Sequence, residues 1–220
     1  LRIYPEGTAG DDWDKGIGTG PFILESWEPG VRALTKRNPN YFKPDKPYFA
    51  EVETLAIVDV NARSNGLKTG RLDAIDRADV KTVHLLKRVP DINVTAISST
   101  MHYSFPILVD KPPYTDVDVR TALKLACDRE EMVKTILKGY GEIGNDHPIS
   151  SVNRYHASEL PQRAYDPDKA KFHMKKAGML DHTFNLHASD AAFSGAVDAS
   201  MLYQETAKKA GIKIKVVREP

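Results

Sequence analysis

The first half of the chain contains short runs of apolar, β-branched and aromatic positions that are typical of strands. Residues 22–27 and 31–37 are two such runs, and the Pro29-Gly30 pair between them predicts a β-hairpin. Further strands are expected at residues 51–58, 72–75, 92–97 and 101–109. The pattern therefore predicts a sheet-rich beginning with short connections.

The second half of the chain changes to a helical period. Val119, Ala122, Leu123 and Ala126 stand at positions i, i+3, i+4 and i+7, which places them on one face of a helix. Aspartates directly before helical stretches are expected to be N-caps. These aspartates are Asp59 before residues 60–68, Asp79 before residues 80–88, Asp128 and, followed by Pro167, Asp166.

The end of the chain predicts a strand, a helix and a strand in that order. The three elements are expected at residues 184–187, 195–210 and 212–217, with Gly211 ending the helix. This order is that of a βαβ unit, in which the two strands run parallel. The pattern as a whole therefore predicts a mixed α/β fold.

The composition is that of an ordinary globular protein and narrows the classes of partner. The 220 residues include 31 lysines and arginines against 30 aspartates and glutamates, a formal net charge of +1. A near-neutral chain argues against a nucleic-acid groove or an anionic membrane as its main partner. No apolar run approaches the ~20 residues of a membrane-spanning helix. The N-terminus lacks the features of a signal peptide, so we expect a mature segment or an excised fragment.

The motifs of nucleophilic and phosphate chemistry do not occur in the sequence. Gly16, Gly18 and Gly20 form a glycine run, but a predicted strand follows where a phosphate cradle needs a helix. A turn is therefore expected there. The acidic cluster before this run is expected to be a solvated turn; it consists of Asp11, Asp12 and Asp14. We assign no catalytic residue and no cofactor, and an enzyme of mixed α/β fold stays an alternative.

Histidine and cysteine also lack a functional pattern. The seven histidines show no ligand spacing, so no metal ligand is assigned, although a zinc or nickel site near His182 and His187 stays open. The lone cysteine, Cys127, excludes an internal disulfide. Because it lies beside an apolar helix face, it is expected to be a small packed thiol.

Blocks of the sequence in a fixed order resemble a known family. The blocks are GTGPF, SWEPG and RNPNYF within residues 18–42, LKTGRLD at residues 67–73, PPYTDVDVRTAL and ACDR within residues 112–129, and YDPDKAK and AG within residues 165–178. Together they resemble the extracellular solute-binding proteins of family 5, the peptide, nickel and opine class. Most of these residues set turns, caps and a core face, so they support the fold more than any particular ligand.

The resemblance implies a two-lobed α/β fold, periplasmic-binding-protein-like and of type II. Family members are a good deal longer than this chain. The chain is therefore expected to be an incomplete central segment with mixed sheets flanked by helices. Residues 1–103 would be the later part of the first lobe, and residues 104–220 the first part of the second lobe.

The resemblance also implies a function that is not enzymatic. The expected role is capture of a small peptide or peptide-like solute by hinge closure, followed by delivery to the permease subunits of an ABC importer. The protein would be a monomer in the periplasm, or lipid-anchored on the outer face of the membrane in a Gram-positive organism, with no nucleic acid as partner. Alternatives are a binding protein for an opine, a nickel chelate, a sugar or haem, and the sensor domain of a transcription regulator.

The resemblance places two groups of candidate ligand-binding residues. Asp76, Arg77 and Ala78 follow the family's G-x-x-D segment, where Asp76 would bind an ammonium and Arg77 a carboxylate; pairing with each other is the alternative. The second group lies on the predicted hinge strand, where Tyr103 would form the wall of a pocket unless it is only a packed residue. That group consists of His102, Tyr103 and Ser104. The family's aspartate for the peptide ammonium lies beyond this chain.

Overall fold

The computed structural model describes residues 18–220, which divide into two compact units between Ala78 and Asp79. The first unit contains β1 (Phe22–Glu28), β2 (Arg32–Arg37), β3 (Glu51–Leu55) and α1 (Val60–Lys68). The second contains α2 (Val83–Leu86), α3 (Val117–Leu125), α4 (Arg129–Thr135), α5 (Pro167–Lys176), β4 (Thr183–Ala188), α6 (Ala196–Lys208) and β5 (Lys213–Arg218). The predicted lobe division after residue 103 concerns a longer protein and stays a prediction.

The predicted hairpin is confirmed. Strands β1 and β2 pair antiparallel, and β3 joins the other side of β2, also antiparallel. In the turn, the Val31 amide donates to the Glu28 carbonyl at 3.0 Å, and Gly30 has a φ of 73°. A left-handed backbone costs glycine little, which explains its place in the turn.

Strand β3 ends at Leu55, three residues before the predicted end at residue 58. The carbonyl groups of Ile57 and Val58 accept hydrogen bonds from the Arg63 guanidinium on α1, at 2.7 and 2.8 Å. A side chain from the following helix therefore replaces the neighbouring strand as their partner.

Helix α1 has the predicted N-cap, but the strand predicted at residues 72–75 does not form. The Asp59 carboxylate accepts from the Ala62 amide at 2.6 Å. After the helix, the amides of Arg71 and Leu72 both donate to the Gly66 carbonyl, at 2.9 and 3.1 Å. A Cβ atom on Gly66 would lie 2.8 Å from Leu72 Cδ1, so the glycine makes room for this folded-back segment.

Helix α2 is shorter than predicted. It covers Val83–Leu86 instead of residues 80–88, and Asp79 is not its N-cap. The Asp79 carboxylate accepts from the Lys81 amide at 3.0 Å, while its carbonyl accepts from the Thr82 amide at 3.0 Å. These bonds close a turn, and the helix begins only after it.

The strands predicted at residues 92–97 and 101–109 are wrong as secondary structure. Within the described part of the chain, residues 93–107 make no backbone–backbone hydrogen bond. An alternating pattern favours an extended chain, but a strand exists only where a second strand pairs with it. Phe105 and Ile107 of this segment nevertheless pack against the core of the second unit.

The predicted βαβ unit is confirmed. Strands β4 and β5 pair parallel, from Thr183 opposite Lys213 to Ala188 opposite Arg218, and α6 connects them. Helices α3 and α5 complete the core together with this unit. The buried core residues are Val119, Ala122, Leu123, Leu125, Ala126, Ala170, Met174, Phe184, Tyr203, Ala207, Ala210, Ile212 and Ile214. The mixed sheets with flanking helices match the predicted fold class.

Helices α4 and α5 begin at their predicted caps, where Asp128 and Asp166 accept from the amides three residues on. In the loop between these helices, one carboxylate binds two arginines. Asp146 accepts from the guanidinium of Arg163 at 2.6 Å and also from that of Arg129. The Asp146 side chain is only 16% exposed, so this ion pair is well shielded from water.

Helix α6 binds the C-terminal end of α3 through two side-chain donors. The Tyr203 hydroxyl donates to the Leu123 carbonyl at 2.7 Å. The Thr206 hydroxyl donates to the Ala126 carbonyl at 2.9 Å. All four residues are buried, and burial raises the pKa of the Tyr203 hydroxyl, so it stays protonated and able to donate.

The two remaining carbonyl groups at this helix end also have donors. The Arg129 guanidinium donates to the Lys124 carbonyl at 3.2 Å, and the Asp166 amide donates to the Leu125 carbonyl at 3.0 Å. A helix leaves its last carbonyl groups without partners of its own. Here neighbouring elements supply those partners in the core.

We predict that Tyr203→Phe lowers the free energy of unfolding by about 1–3 kcal/mol, because the buried Leu123 carbonyl loses its donor. Urea unfolding followed by circular dichroism measures the loss. Tyr155→Phe is the matched control, since Tyr155 is 69% exposed; its effect should stay within about 0.5 kcal/mol. Equal stability of the two variants would contradict the role of Tyr203.

Candidate functional site

The candidate residues of the first unit lie in the irregular segment that follows α1. Asp76 and Arg77 form an ion pair at 2.9 Å, with side chains 71% and 70% exposed. Arg77 has a φ of 48°, and its carbonyl lies 3.4 Å from the Arg63 guanidinium that also holds the segment after β3. The two charges thus pair with each other, and both face water. Because solvent screens an exposed pair, a charged ligand group can replace either partner at little cost.

Tyr103 lies on an aromatic surface of the second unit. Its ring stacks on Phe193 with centroids 4.1 Å apart, and Tyr103 stays 43% exposed. Two residues along, Phe105 stacks on the buried Tyr203 with centroids 5.2 Å apart. Consecutive stacks therefore attach this unpaired segment to α6 and to the loop before it. An exposed ring face can pack against an apolar or aromatic part of a solute.

The other two candidates of this group face solvent. His102 is exposed, and its Nδ1 lies 3.4 Å from the Thr100 carbonyl. Ser104 is exposed as well. Neither side chain is committed to the core, so both are accessible to a ligand.

A second ion pair lies close to Phe193 along the chain. The Lys81 ammonium binds the Asp198 carboxylate in the first turn of α6 at 2.8 Å. This hydrogen bond raises the pKa of Lys81. The N-terminal end of α6 therefore carries an aromatic ring followed by a paired charge.

Two residues outside the sequence-predicted site contact the Tyr103 segment, Phe193 and Glu142. Phe193 precedes Gly195, whose φ of 88° begins α6, so a lone aromatic before a helix was the available signal. Glu142 accepts hydrogen bonds from the hydroxyls of Ser98 and Ser151, both at 2.7 Å. These hydroxyl contacts, with that of Ser98 first, lower the pKa of the Glu142 carboxyl. The bond between Ser98 and Glu142 joins residues 44 positions apart, so no local sequence pattern could predict it.

Histidines and carboxylates do not assemble into a metal centre among residues 18–220. His182 packs edge-on against Phe184, and His187 pairs with Glu219 at 2.6 Å. Among these same residues, two histidine rings lie close together, those of His147 and His156, with centroids 5.3 Å apart. The predicted acidic turn at Asp11, Asp12 and Asp14 and the first glycine of the run, Gly16, lie outside the described residues.

Cys127 packs against the core of the second unit, as the sequence predicted. Burial raises the pKa of its thiol to about 11. A neutral thiol is a poor nucleophile, since the thiolate is the reactive form. Cys127 is therefore a packing residue.

None of the helices in the described part of the chain is both long and apolar enough to cross a bilayer.

Mixed sheets flanked by helices are the architecture of periplasmic-binding-protein-like folds. Residues 3–220 match the model of the bacterial extracellular solute-binding proteins, family 5 middle. The chain belongs to this family. Its members are extracytoplasmic binding proteins of ABC importers.

Curated relatives and a solved structure are similar over nearly the whole chain. The di/tripeptide-binding protein 1 of Pseudomonas aeruginosa is 26% identical over 98% of this chain and 41% of its own length. The glutathione-binding protein GsiB of Escherichia coli is 26% identical over 91% of this chain and 39% of its own. NikZ of Campylobacter jejuni, solved with Ni(L-His), superposes with a TM-score of 0.77 and 26% identity, covering 96% of this chain and 44% of NikZ.

These similarities confirm the predicted family and fold. The relatives are named as solute-binding proteins. The chain spans about two-fifths of the length of the curated relatives that it matches.

We predict that native Cys127 resists alkylation. At pH 8, a thiol with a pKa of about 11 is almost entirely neutral, and packing also limits access. Labelling with iodoacetamide, followed by intact-protein mass spectrometry, should be much slower for the native protein than in urea. Equal labelling rates in the two conditions would contradict the assignment of Cys127 as a packed residue.

Proposed function

We propose that this chain is the central part of an extracytoplasmic binding protein that captures a peptide-like solute between two lobes. The solute would then pass to the permease subunits of an ABC importer. The observation that carries the proposal is the family match along residues 3–220, together with relatives named for di- and tripeptide and glutathione binding. In this arrangement residues 1–103 would belong to the first lobe and residues 104–220 to the second, although the segment that ends at Tyr103 packs on the second unit.

The exposed groups suit a zwitterionic solute with an apolar part. Asp76 and Arg77 present one carboxylate and one guanidinium side by side, and each can exchange its partner for a terminal group of a peptide. Ala78 follows them, and its small side chain would leave room for the solute backbone. Tyr103, between His102 and Ser104, offers a ring face for an apolar side chain.

Closure of the lobes would sequester the solute, because it would contact both lobes only in the closed state. The protein would act as a monomer without nucleic acid or cofactor, and no catalytic step is needed. Its site of action is the periplasm, or the outer face of the membrane in a lipid-anchored form.

A nickel chelate is the second candidate solute. The superposition of this chain on NikZ, which was solved with Ni(L-His), favours it. A chelate of nickel and histidine shares the amino-acid groups of a peptide, so the same charged pair would suit both. The two solutes can be distinguished by whether the bound solute contains nickel.

Native mass spectrometry of the full-length protein, purified from its own cells, tests the proposal. We expect a retained solute with the mass of a short peptide. A nickel adduct would support the second candidate. A protein that retains nothing and binds no peptide in calorimetric titration would contradict the proposed function.

Substitutions in the charged pair test the site. Asp76→Asn and Arg77→Gln should each weaken binding of the retained peptide about tenfold or more, since each removes a charged hydrogen-bonding group. Asp73→Asn and Arg71→Gln, which alter exposed charges in the same segment, are the matched controls and should bind normally. Equal affinities in all four variants would exclude Asp76 and Arg77 from the site.

A further inference from the structure

The segment that carries Tyr103 is held in place by side chains. Residues 93–107 make no backbone–backbone hydrogen bond within the described part of the chain. Their side chains do make tertiary contacts: Tyr103 stacks on Phe193, and Phe105 stacks on Tyr203. A segment without a backbone ladder depends on such contacts for its position.

Near its start, the segment is bound by the carboxylate of Glu142, which accepts hydrogen bonds from two hydroxyl groups. Glu142, in the loop between α4 and α5, accepts from Ser98 and from Ser151, each at 2.7 Å. Hydrogen bonds to a charged acceptor are stronger than those between neutral groups. The bond from Ser151 fixes the carboxylate within the loop. The bond from Ser98 attaches the segment to that carboxylate.

A neighbouring contact supports the same attachment. Tyr140, two residues before Glu142, accepts a hydrogen bond from the Lys87 ammonium at 2.7 Å, and the ammonium lies 5.1 Å from the ring centroid. The chain after α2 therefore contacts the loop between α4 and α5 at two points, Lys87 and Ser98.

Short-range bonds connect the Glu142 contact to Tyr103. The Ser99 hydroxyl accepts from the Met101 amide at 3.1 Å, which closes a tight local turn. His102 Nδ1 lies 3.4 Å from the Thr100 carbonyl. These local contacts bend the chain between Ser98 and Tyr103, which only four residues separate. A displacement of Ser98 would therefore be passed on to Tyr103.

We propose that Glu142 is a positioning residue of the solute site, which sets the place of Tyr103 through Ser98 without touching the solute. This inference rests on the proposed function, since it assigns to Tyr103 a role in binding. Glu142, Ser98 and Ser151 are all exposed, so their substitution removes the contact and leaves the core intact.

The test uses full-length protein and the dipeptide alanyl-phenylalanine as the probe. Glu142→Ala and Ser98→Ala should each weaken binding about fivefold, a loss of the size expected for one exposed hydrogen bond that acts on the solute only through Tyr103. The double variant should bind no more weakly than either single variant, because both remove the same contact. Glu142→Gln should recover part of the affinity, since its amide oxygen still accepts one hydroxyl.

Matched controls lie in the same loop. Ser158→Ala and Glu159→Ala alter exposed residues whose side chains make no hydrogen bond or ion pair with the described residues, and they should leave the affinity unchanged. A second readout needs no ligand: protein labelled with 3-fluorotyrosine gives a fluorine resonance for Tyr103, assigned with Tyr103→Phe. That resonance should shift in Glu142→Ala and Ser98→Ala and stay unchanged in the controls.

The two readouts separate this inference from the proposed function. An unchanged Tyr103 resonance in both variants overturns the positioning role, whether or not the dipeptide binds. A shifted resonance with unchanged affinity also overturns it, because the contact then does not serve the site. If the wild-type protein binds no peptide, the proposed function fails, and the resonance alone decides whether Glu142 places Tyr103.

Discussion

Helix α3 ends against the core, where water has little access to its last carbonyl groups. The fold supplies a protein donor to each of them. Two donors, Tyr203 and Thr206, stand on α6, and the others are Arg129 at the start of α4 and the amide of Asp166 before α5. One helix end thus fixes the positions of three other helices, and the parallel strands on either side of α6 follow from its position.

The candidate binding surface of the second unit depends on the same helix. Phe193 lies just before α6 and Tyr203 lies within it, and these rings receive Tyr103 and Phe105. Tyr203 therefore has two roles, since its hydroxyl binds the end of α3 while its ring supports the unpaired segment. Helix α6 thus supports the irregular segment that carries Tyr103. Binding residues on loops supported by rigid elements are common in proteins.

Local signals predicted the elements that depend on local chemistry. The caps at Asp59, Asp128 and Asp166 and the turn at Pro29-Gly30 lie where the sequence places them, because each is decided within a few residues. Residues 92–97 and 101–109 alternate like strands, yet a strand needs a partner that no local pattern reveals. The candidate site residues came from the family resemblance, while Phe193 and Glu142 emerged only from contacts between distant residues.

The proposed function requires that two lobes close on a peptide-like solute, with residues of this chain on both lobes. Small-angle X-ray scattering of the full-length protein, without and with saturating alanyl-phenylalanine, tests it most directly. We expect the radius of gyration to fall when the dipeptide binds, because closure brings the lobes together. An unchanged radius of gyration, with binding confirmed by calorimetry on the same sample, would contradict the account.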